Sequence, residues 1–384
     1  MLAIKNGRFI VPDENGDFVF RTEGVLLCDG ERIKGFAEEK DIPADAEVLD
    51  AQGNYVAPGF LNVHIHGCAG SDTMDADIDA LERMAKLQAQ TGVTGFLPTT
   101  MTCKWHEVEE ALLAVKETMQ CPLAGARILG AHMEGPFISP QKKGAQAEEN
   151  IRKADYKLVK PWADVVKIIT LAPEELTDYT FVDECHAAGI TVSIGHTAAD
   201  YEETLQAVKE HGIHHFTHVY NAMTGFSHRS PGVVGAAFDT DANCEIIADN
   251  VHSHPAAQRL LYHAKGGKNI VLITDSLRAC GLGDGPSELG GQEVFVKGEL
   301  ATLKDGTIAG SVATMNRCVK IFWENTGAEL PQIIEMVTKT PAQELALYED
   351  MGSLESGKRA DIVIFDEEVR IHKTVIGGKV YYHD

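Results

Sequence analysis

The sequence predicts an α/β protein, a (β/α)8 TIM-type barrel with a small flanking β-sandwich formed by both chain ends. Eight apolar, strand-like runs alternate with helix-length segments through the middle of the chain. Both ends instead carry short strands split by turn residues. No Gly-rich GxGxxG turn follows the first apolar run, which disfavours an open dinucleotide-binding sheet. A length of 384 residues is ample for one large barrel and one small unit.

At the start, LAIKNGRFIVP, GVLLCDGERIKGFA and AEVLDAQGNYVAP read as short strands. Asn15 with Gly16 and Asp29 with Gly30 form hairpin-type turns there. The tail repeats the style, with Gly377 and Gly378 separating RIHKTVI from KVYYHD after ADIVIFD. Neither end is large enough for a core of its own. Residues 1–56 and 350–384 are therefore expected to pair into one domain beside a barrel of residues 57–349. The barrel strands are expected to end near FLNVHIHG, GFLPTT, RILGAHMEG, VVKIITLAPE, TVSIGHT, HHFTHVYNAM, EIIADNVHS and NIVLITDS. Helix-length segments such as DIDALERMAKLQAQTG, DYEETLQAVKEHG and PAAQRLLYHAKGG lie between them and close on Gly.

Charge excludes some partners. With 34 basic against 57 acidic side chains and a net charge of −23, the chain lacks the basic patch that nucleic acid requires. The opening MLAIKNGRFI has no apolar export core, and no run of about 18 apolar residues occurs, so no membrane association and a cytoplasmic location are expected. The eight cysteines are dispersed without a CxxC pair and read as reduced thiols.

In a parallel barrel the chemistry sits at the carboxyl ends of the strands. The first predicted strand offers His64 and His66, which at i and i+2 face the same side. The third offers Glu134, the fifth His196, the sixth His218 and the eighth Asp275. These nitrogen and oxygen donors suit one or two divalent ions of zinc, iron or manganese. Alone, a strand histidine is more ordinary as a core or rim residue, and Glu134 or Asp275 as a helix cap or surface carboxylate. Joint placement at corresponding strand ends is what raises all six. Alternation along HHFTHVYNAM puts His214 on the face of His218 and turns His215 toward the helices. His132, two residues before Glu134, is expected to face inward in support.

The segments APGFLNVHIHG, AHMEGPF and SLESGKRADIVIFD resemble the amidohydrolase superfamily, metal-dependent hydrolases built on a barrel with a flanking β-sandwich. HMEGPF, IGHTAA, THVYNAM, IIADNVHSHP, LITDS and AGSVATM, in that order, are similar to its N-acetylglucosamine-6-phosphate deacetylase family. The resemblance implies hydrolysis of the acetamide of N-acetyl-D-glucosamine 6-phosphate to D-glucosamine 6-phosphate and acetate, in amino-sugar catabolism or recycling. It implies that Glu134, His196 and His218 hold the principal cation, zinc first among the candidates, with Asp275 as catalytic acid/base and part of the ligand set. His64 and His66 would complete a second position bridged by Glu134. Asn221, Ala222, Arg229 and His252 would surround the phosphate, Arg229 reaching across a homodimer, and Ser311 and Met315 would close over the substrate. One departure stands out: KKGAQ places Gln146 where the family often has a histidine, and glutamine donates an N–H but carries no proton. Two alternatives stay open, another amidohydrolase (dihydroorotase-like or an N-acyl-amino-acid hydrolase) and a noncatalytic scaffold.

Overall fold

Eight parallel strands form where the apolar runs predicted them: Phe60–Ile65, Val93–Thr100, Ala131–Glu134, Val166–Leu171, Thr191–Ile194, His215–Phe216, Asn243–Ile247 and Ile270–Ile273. The computed structural model describes residues 1–383 and joins these strands in chain order into one parallel sheet. Both faces are covered, which is why the strands read as nearly unbroken apolar runs. The eighth strand meets the first just beyond its own end. There Asp275 N–H donates to His64 O at 2.9 Å and His66 N–H to Ser276 O at 3.0 Å. Barrel closure and the candidate site thus share a backbone.

The expected helices surround the barrel, among them Ile78–Gln90, Tyr201–His211 and Pro255–Lys265. The second shows its local cause. Asp200 accepts from Glu203 N–H while the Glu203 side chain reaches back to Asp200 N–H, and Gly212 at φ 67° ends the helix.

The two chain ends meet in one sheet, where Ile362–Phe365 pairs antiparallel with Tyr55–Pro58, and Tyr55–Pro58 continues to Arg8–Pro12 and Phe18–Arg21. A second sheet holds Leu2–Lys5, Val25–Asp29, Arg32–Ala37 and Glu47–Asp50. Leu2, Ile4, Phe9, Leu26, Ile362 and Ile364 are packed in a separate core of this unit. The barrel-plus-sandwich fold class therefore holds. A three-stranded antiparallel insert, Gly285–Leu289, Gln292–Lys297 and Leu300–Leu303, was not foreseen. It follows the eighth strand, and Leu289 at its first turn lines the candidate site.

All eight cysteines are free, seven of them buried, as the dispersed spacing predicts. Among the described residues, no helix is long and apolar enough to cross a membrane.

Candidate metal centre and active site

Each predicted ligand leaves its strand at the carboxyl end, but three do so in an unusual way. His196, His218 and Asp275 have φ of 48°, 30° and 48°, left-handed values that cost a non-glycine residue about 1–3 kcal/mol each. The left-handed step breaks strand alternation and turns the side chain over the barrel mouth. Gly67, next to the His64–His66 pair, allows another close approach. A Cβ there would stand 2.3 Å from Ser71 O and 2.9 Å from Arg278 N.

The side chains converge. Glu134 Oε1 lies 3.1 Å from His196 Nε2 and 2.9 Å from His218 Nε2, and these two nitrogens are 3.2 Å apart. Glu134 Oε2 is 3.2 Å from His66 Nε2. Asp275 Oδ1 is 3.2 Å from His66 Nε2 and 3.5 Å from His64 Nε2. All six residues are buried.

The tautomers follow from the other ring nitrogens. His66 Nδ1 faces Thr99 O at 3.2 Å and His196 Nδ1 faces Lys142 O at 2.9 Å; carbonyls only accept, so both nitrogens donate. His64 Nδ1 faces the Glu245 carboxylate at 2.9 Å. In the neutral rings that bind a metal, their Nε2 atoms are then lone pairs pointing at carboxylate oxygens, and His64 Nε2 has no hydrogen-bond partner. Lone pairs opposed at such distances need positive charge between them. Donors arranged tetrahedrally around zinc at about 2.0–2.1 Å stand about 3.3 Å apart, which is close to the spacings here. The residues fit a divalent cation, in two groups: Glu134 with His196 and His218, and His64 with His66 and Asp275.

The electrostatics agree. Burial disfavours an imidazolium at His218, yet Glu134 and Asp275 outweigh it and raise the group to about 9. Burial likewise opposes the Glu134 carboxylate, but the surrounding imidazoles hold it well below its ordinary range. The pocket strongly favours positive charge.

A cavity of about 320 Å³ opens onto this cluster. Its walls include Gln146, Asn221, Ala222 and His252, together with Met101, Leu289 and Ile308. His252 is fixed by Asp249, whose Oδ2 accepts from Nδ1 at 2.7 Å. Gln146 has a definite orientation, because its Oε1 accepts from Thr102 N–H at 2.7 Å. Its Nε2 then donates to Glu134 Oε2 at 2.6 Å. It touches the central carboxylate as well as the cavity.

Three expectations do not meet the cavity. Ser311 is fully buried; its hydroxyl donates to Thr274 O at 2.5 Å and its N–H to Asp275 O at 2.8 Å, so it clamps the Asp275 backbone and cannot cover a substrate. Met315 is fully buried in the apolar core at the start of helix Met315–Thr326. The residues of this region that line the cavity are instead Thr307, Ile308 and Gly310. Arg229 sits outside the cavity, at the tip of a turn closed by Ser227 N–H to Ser230 O at 3.1 Å, beside exposed Phe226.

The reading of His214 and His215 is also corrected. His215, not His214, points into the barrel: it is fully buried, with Nε2 3.2 Å from Glu245 Oε1. His214 is largely exposed. The strand is only His215–Phe216, and the left-handed turn at His218 resets the facing that alternation assumes. His132 does face inward, where Val63 O accepts from Nδ1 at 3.0 Å and Thr170 Oγ1 donates to Nε2 at 2.7 Å. Burial, assisted by His64, drives it down to about 3, so it is neutral. Glu245, buried behind His64, was not singled out. A lone carboxylate opening the apolar run EIIADN was the available signal.

Residues 55–381 match the Amidohydrolase family model. N-acetylglucosamine-6-phosphate deacetylase of Bacillus subtilis (strain 168) is 40% identical over 389 residues, covering 99% of this chain and 97% of that protein. The crystal structure of N-acetylglucosamine-6-phosphate deacetylase from Pasteurella multocida superposes with a TM-score of 0.93 at 30% identity, covering 99% of each chain. A mutant of the Mycobacterium smegmatis enzyme in complex with N-acetyl-D-glucosamine-6-phosphate gives a TM-score of 0.90 at 26% identity, over 99% of each chain.

Proposed function

This chain belongs to the amidohydrolase family, and from that membership we propose that it hydrolyses the acetamide of N-acetyl-D-glucosamine 6-phosphate, releasing acetate and D-glucosamine 6-phosphate. The observation that carries the reading is a cavity in which Asp275 and a cation-binding cluster face Asn221 and His252. Relatives of that name matching nearly end to end support the same substrate.

Glu134, His196 and His218 would hold the principal cation, and His64 and His66 with Asp275 a second. The imidazole and carboxylate donors favour zinc, with iron or manganese as alternatives. Such an ion polarises an amide carbonyl and acidifies water toward a pKa of about 7. The chain's own residues do the rest. Asp275, held ionised by the neighbouring imidazoles against the cost of burial, takes a proton from the attacking water and delivers it to the leaving amine. Its backbone is fixed on both sides, by His64 O and by Ser311 N–H, so the carboxylate is aimed before substrate arrives. Gln146 donates to Glu134 and keeps that carboxylate from rotating.

His252, oriented by Asp249, and the Asn221 and Ala222 segment would receive the phosphate. Arg229 is not among the residues that line its own cavity. In a homodimer its exposed turn, with Phe226, would supply a guanidinium fork to the neighbouring site. Residues 57–349 would be the catalytic domain and 1–56 with 350–384 its support, in a cytoplasmic enzyme of amino-sugar breakdown or recycling. The test is a substrate panel on cation-loaded protein. Acetate should come from N-acetylglucosamine 6-phosphate far faster than from unphosphorylated N-acetylglucosamine, and neither N-acyl amino acids nor dihydroorotate should be hydrolysed. Preference for either of the last two would overturn the substrate assignment.

A further inference from the structure

Behind the metal cluster a line of buried titratable groups runs down the barrel interior, and the proposed chemistry does not use it. His64 Nδ1 meets Glu245 Oε2 at 2.9 Å. Glu245 Oε1 meets His215 Nε2 at 3.2 Å, and His215 Nδ1 faces Glu344 Oε2 at 3.4 Å. Glu344 Oε1 reaches His214 Nε2 at 3.3 Å, where the His214 side chain is 57% exposed at the far rim. Four elements contribute: the first, sixth and seventh strands and helix Lys339–Glu344.

We infer that Glu245, held in turn by His215 and Glu344, is a positioning residue that sets the tautomer and angle of His64 and thereby builds the cation position at the His64–His66 end of the cluster. The inference rests on the cation-dependent reading above. An ionised carboxylate can only accept, so its contact with Nδ1 forces the proton onto that nitrogen. Nε2 is then a bare lone pair, and it is the ring atom left without a partner beside Glu134 Oε1 and Asp275 Oδ1, each 3.5 Å away. Reversing the tautomer would aim an N–H at the place where a cation has to sit. A buried carboxylate left to rotate would lose that control. His215 opposes that rotation through its Nε2 contact with the second oxygen, and Glu344 faces the other ring nitrogen of His215. His64, His132 and Glu245 themselves are not a third ion site, since both nitrogens of His132 are already hydrogen-bonded to Val63 O and Thr170 Oγ1.

The test is cation affinity, measured by competition with a chromophoric chelator as zinc is titrated into the cation-free full chain. Wild type should take two equivalents. Glu245→Gln should keep one at wild-type affinity and bind the other about 10–100-fold more weakly, as outer partners of metal-bound histidines generally do. Unchanged affinity at both positions, equal weakening of both, or a single equivalent in wild type would each overturn the inference. Should the variant not fold, ¹⁵N-imidazole spectra of wild type decide, with His64 assigned by its absence in His64→Asn. Nδ1–H with a zinc-responsive Nε2 is expected, and an Nε2–H ring contradicts it. Acetate release, assayed separately, distinguishes the two readings: two-site binding with no deacetylation removes the substrate assignment and leaves this one standing.

Discussion

Replacing Asp275 by asparagine separates proton transfer from assembly of the principal cation group, Glu134 with His196 and His218. The substitution keeps the side chain's shape and leaves the backbone bonds to His64 O and from Ser311 N–H intact. Glu134, His196 and His218 do not depend on it for their mutual contacts, at 3.1, 2.9 and 3.2 Å. The principal cation should therefore remain. Asparagine cannot accept and return a proton, and loss of such a shuttle typically costs about 10²–10⁴ in rate. At 1.36 kcal/mol per factor of ten, that is about 3–5 kcal/mol of transition-state stabilisation. The assay is steady-state acetate release from N-acetylglucosamine 6-phosphate, with cation content measured on the same preparation. The fall should be in kcat, with KM changed little, because Asn221 and His252 are untouched. A variant carrying the principal cation and turning over like wild type would refute the role given to Asp275.

Other consequences are open to direct measurement. Arg229→Ala should erase most of the preference for phosphorylated over unphosphorylated sugar; mixed with Asp275→Asn subunits it should regain activity at roughly a quarter of the sites, since one site per hybrid dimer is whole. No recovery on mixing would place Arg229 in its own subunit's site or outside any site. Gly67→Ala should lower stability by about 1–3 kcal/mol through the backbone contacts its Cβ would meet, an account that an unchanged Tm would contradict. Burial pushes the His215 imidazolium down, but Glu344 and Glu245 prevail and raise it to about 10. Its folded-state pKa lies above the unfolded value near 6.5, so its stabilisation is complete below that pH and is lost as pH rises through about 10. Thermal unfolding at pH 7 and pH 10.5 should therefore show a larger loss in wild type than in His215→Gln; equal losses would remove the buried ion pair from the account.

The barrel was legible because parallel strands buried on both faces read as apolar runs, and the six convergent ligands because each ends such a run. The sandwich was legible from Asn15-Gly16, Asp29-Gly30 and Gly377-Gly378 turns at the two ends. What alternation could not carry was the direction of side chains beyond a left-handed residue: His218 at φ 30° is why His214 and His215 were read the wrong way round. Ser311 and Met315 looked like a substrate loop, whereas the Ser276–Ser311 bridge ties that loop to the eighth strand's extension. The insert Gly285–Leu303 carried its own signals, Gly290 with Gly291 at a tight turn and alternation in Gln292–Lys297, which went unread. Glu245 was invisible for a different reason. A carboxylate inside an apolar strand is meaningful only once its partners from other strands are known.

A cation-dependent deacetylase of a phosphorylated amino sugar should form product only while its buried cluster holds an ion. The most direct test is product balance on purified protein, stripped by a chelator and then reloaded with zinc, iron or manganese. Acetate and glucosamine 6-phosphate should form in equal amounts from N-acetylglucosamine 6-phosphate, with formation abolished by stripping and restored by at least one of these ions. Undiminished product formation by the stripped protein, or none after reloading with any of them, would contradict that dependence.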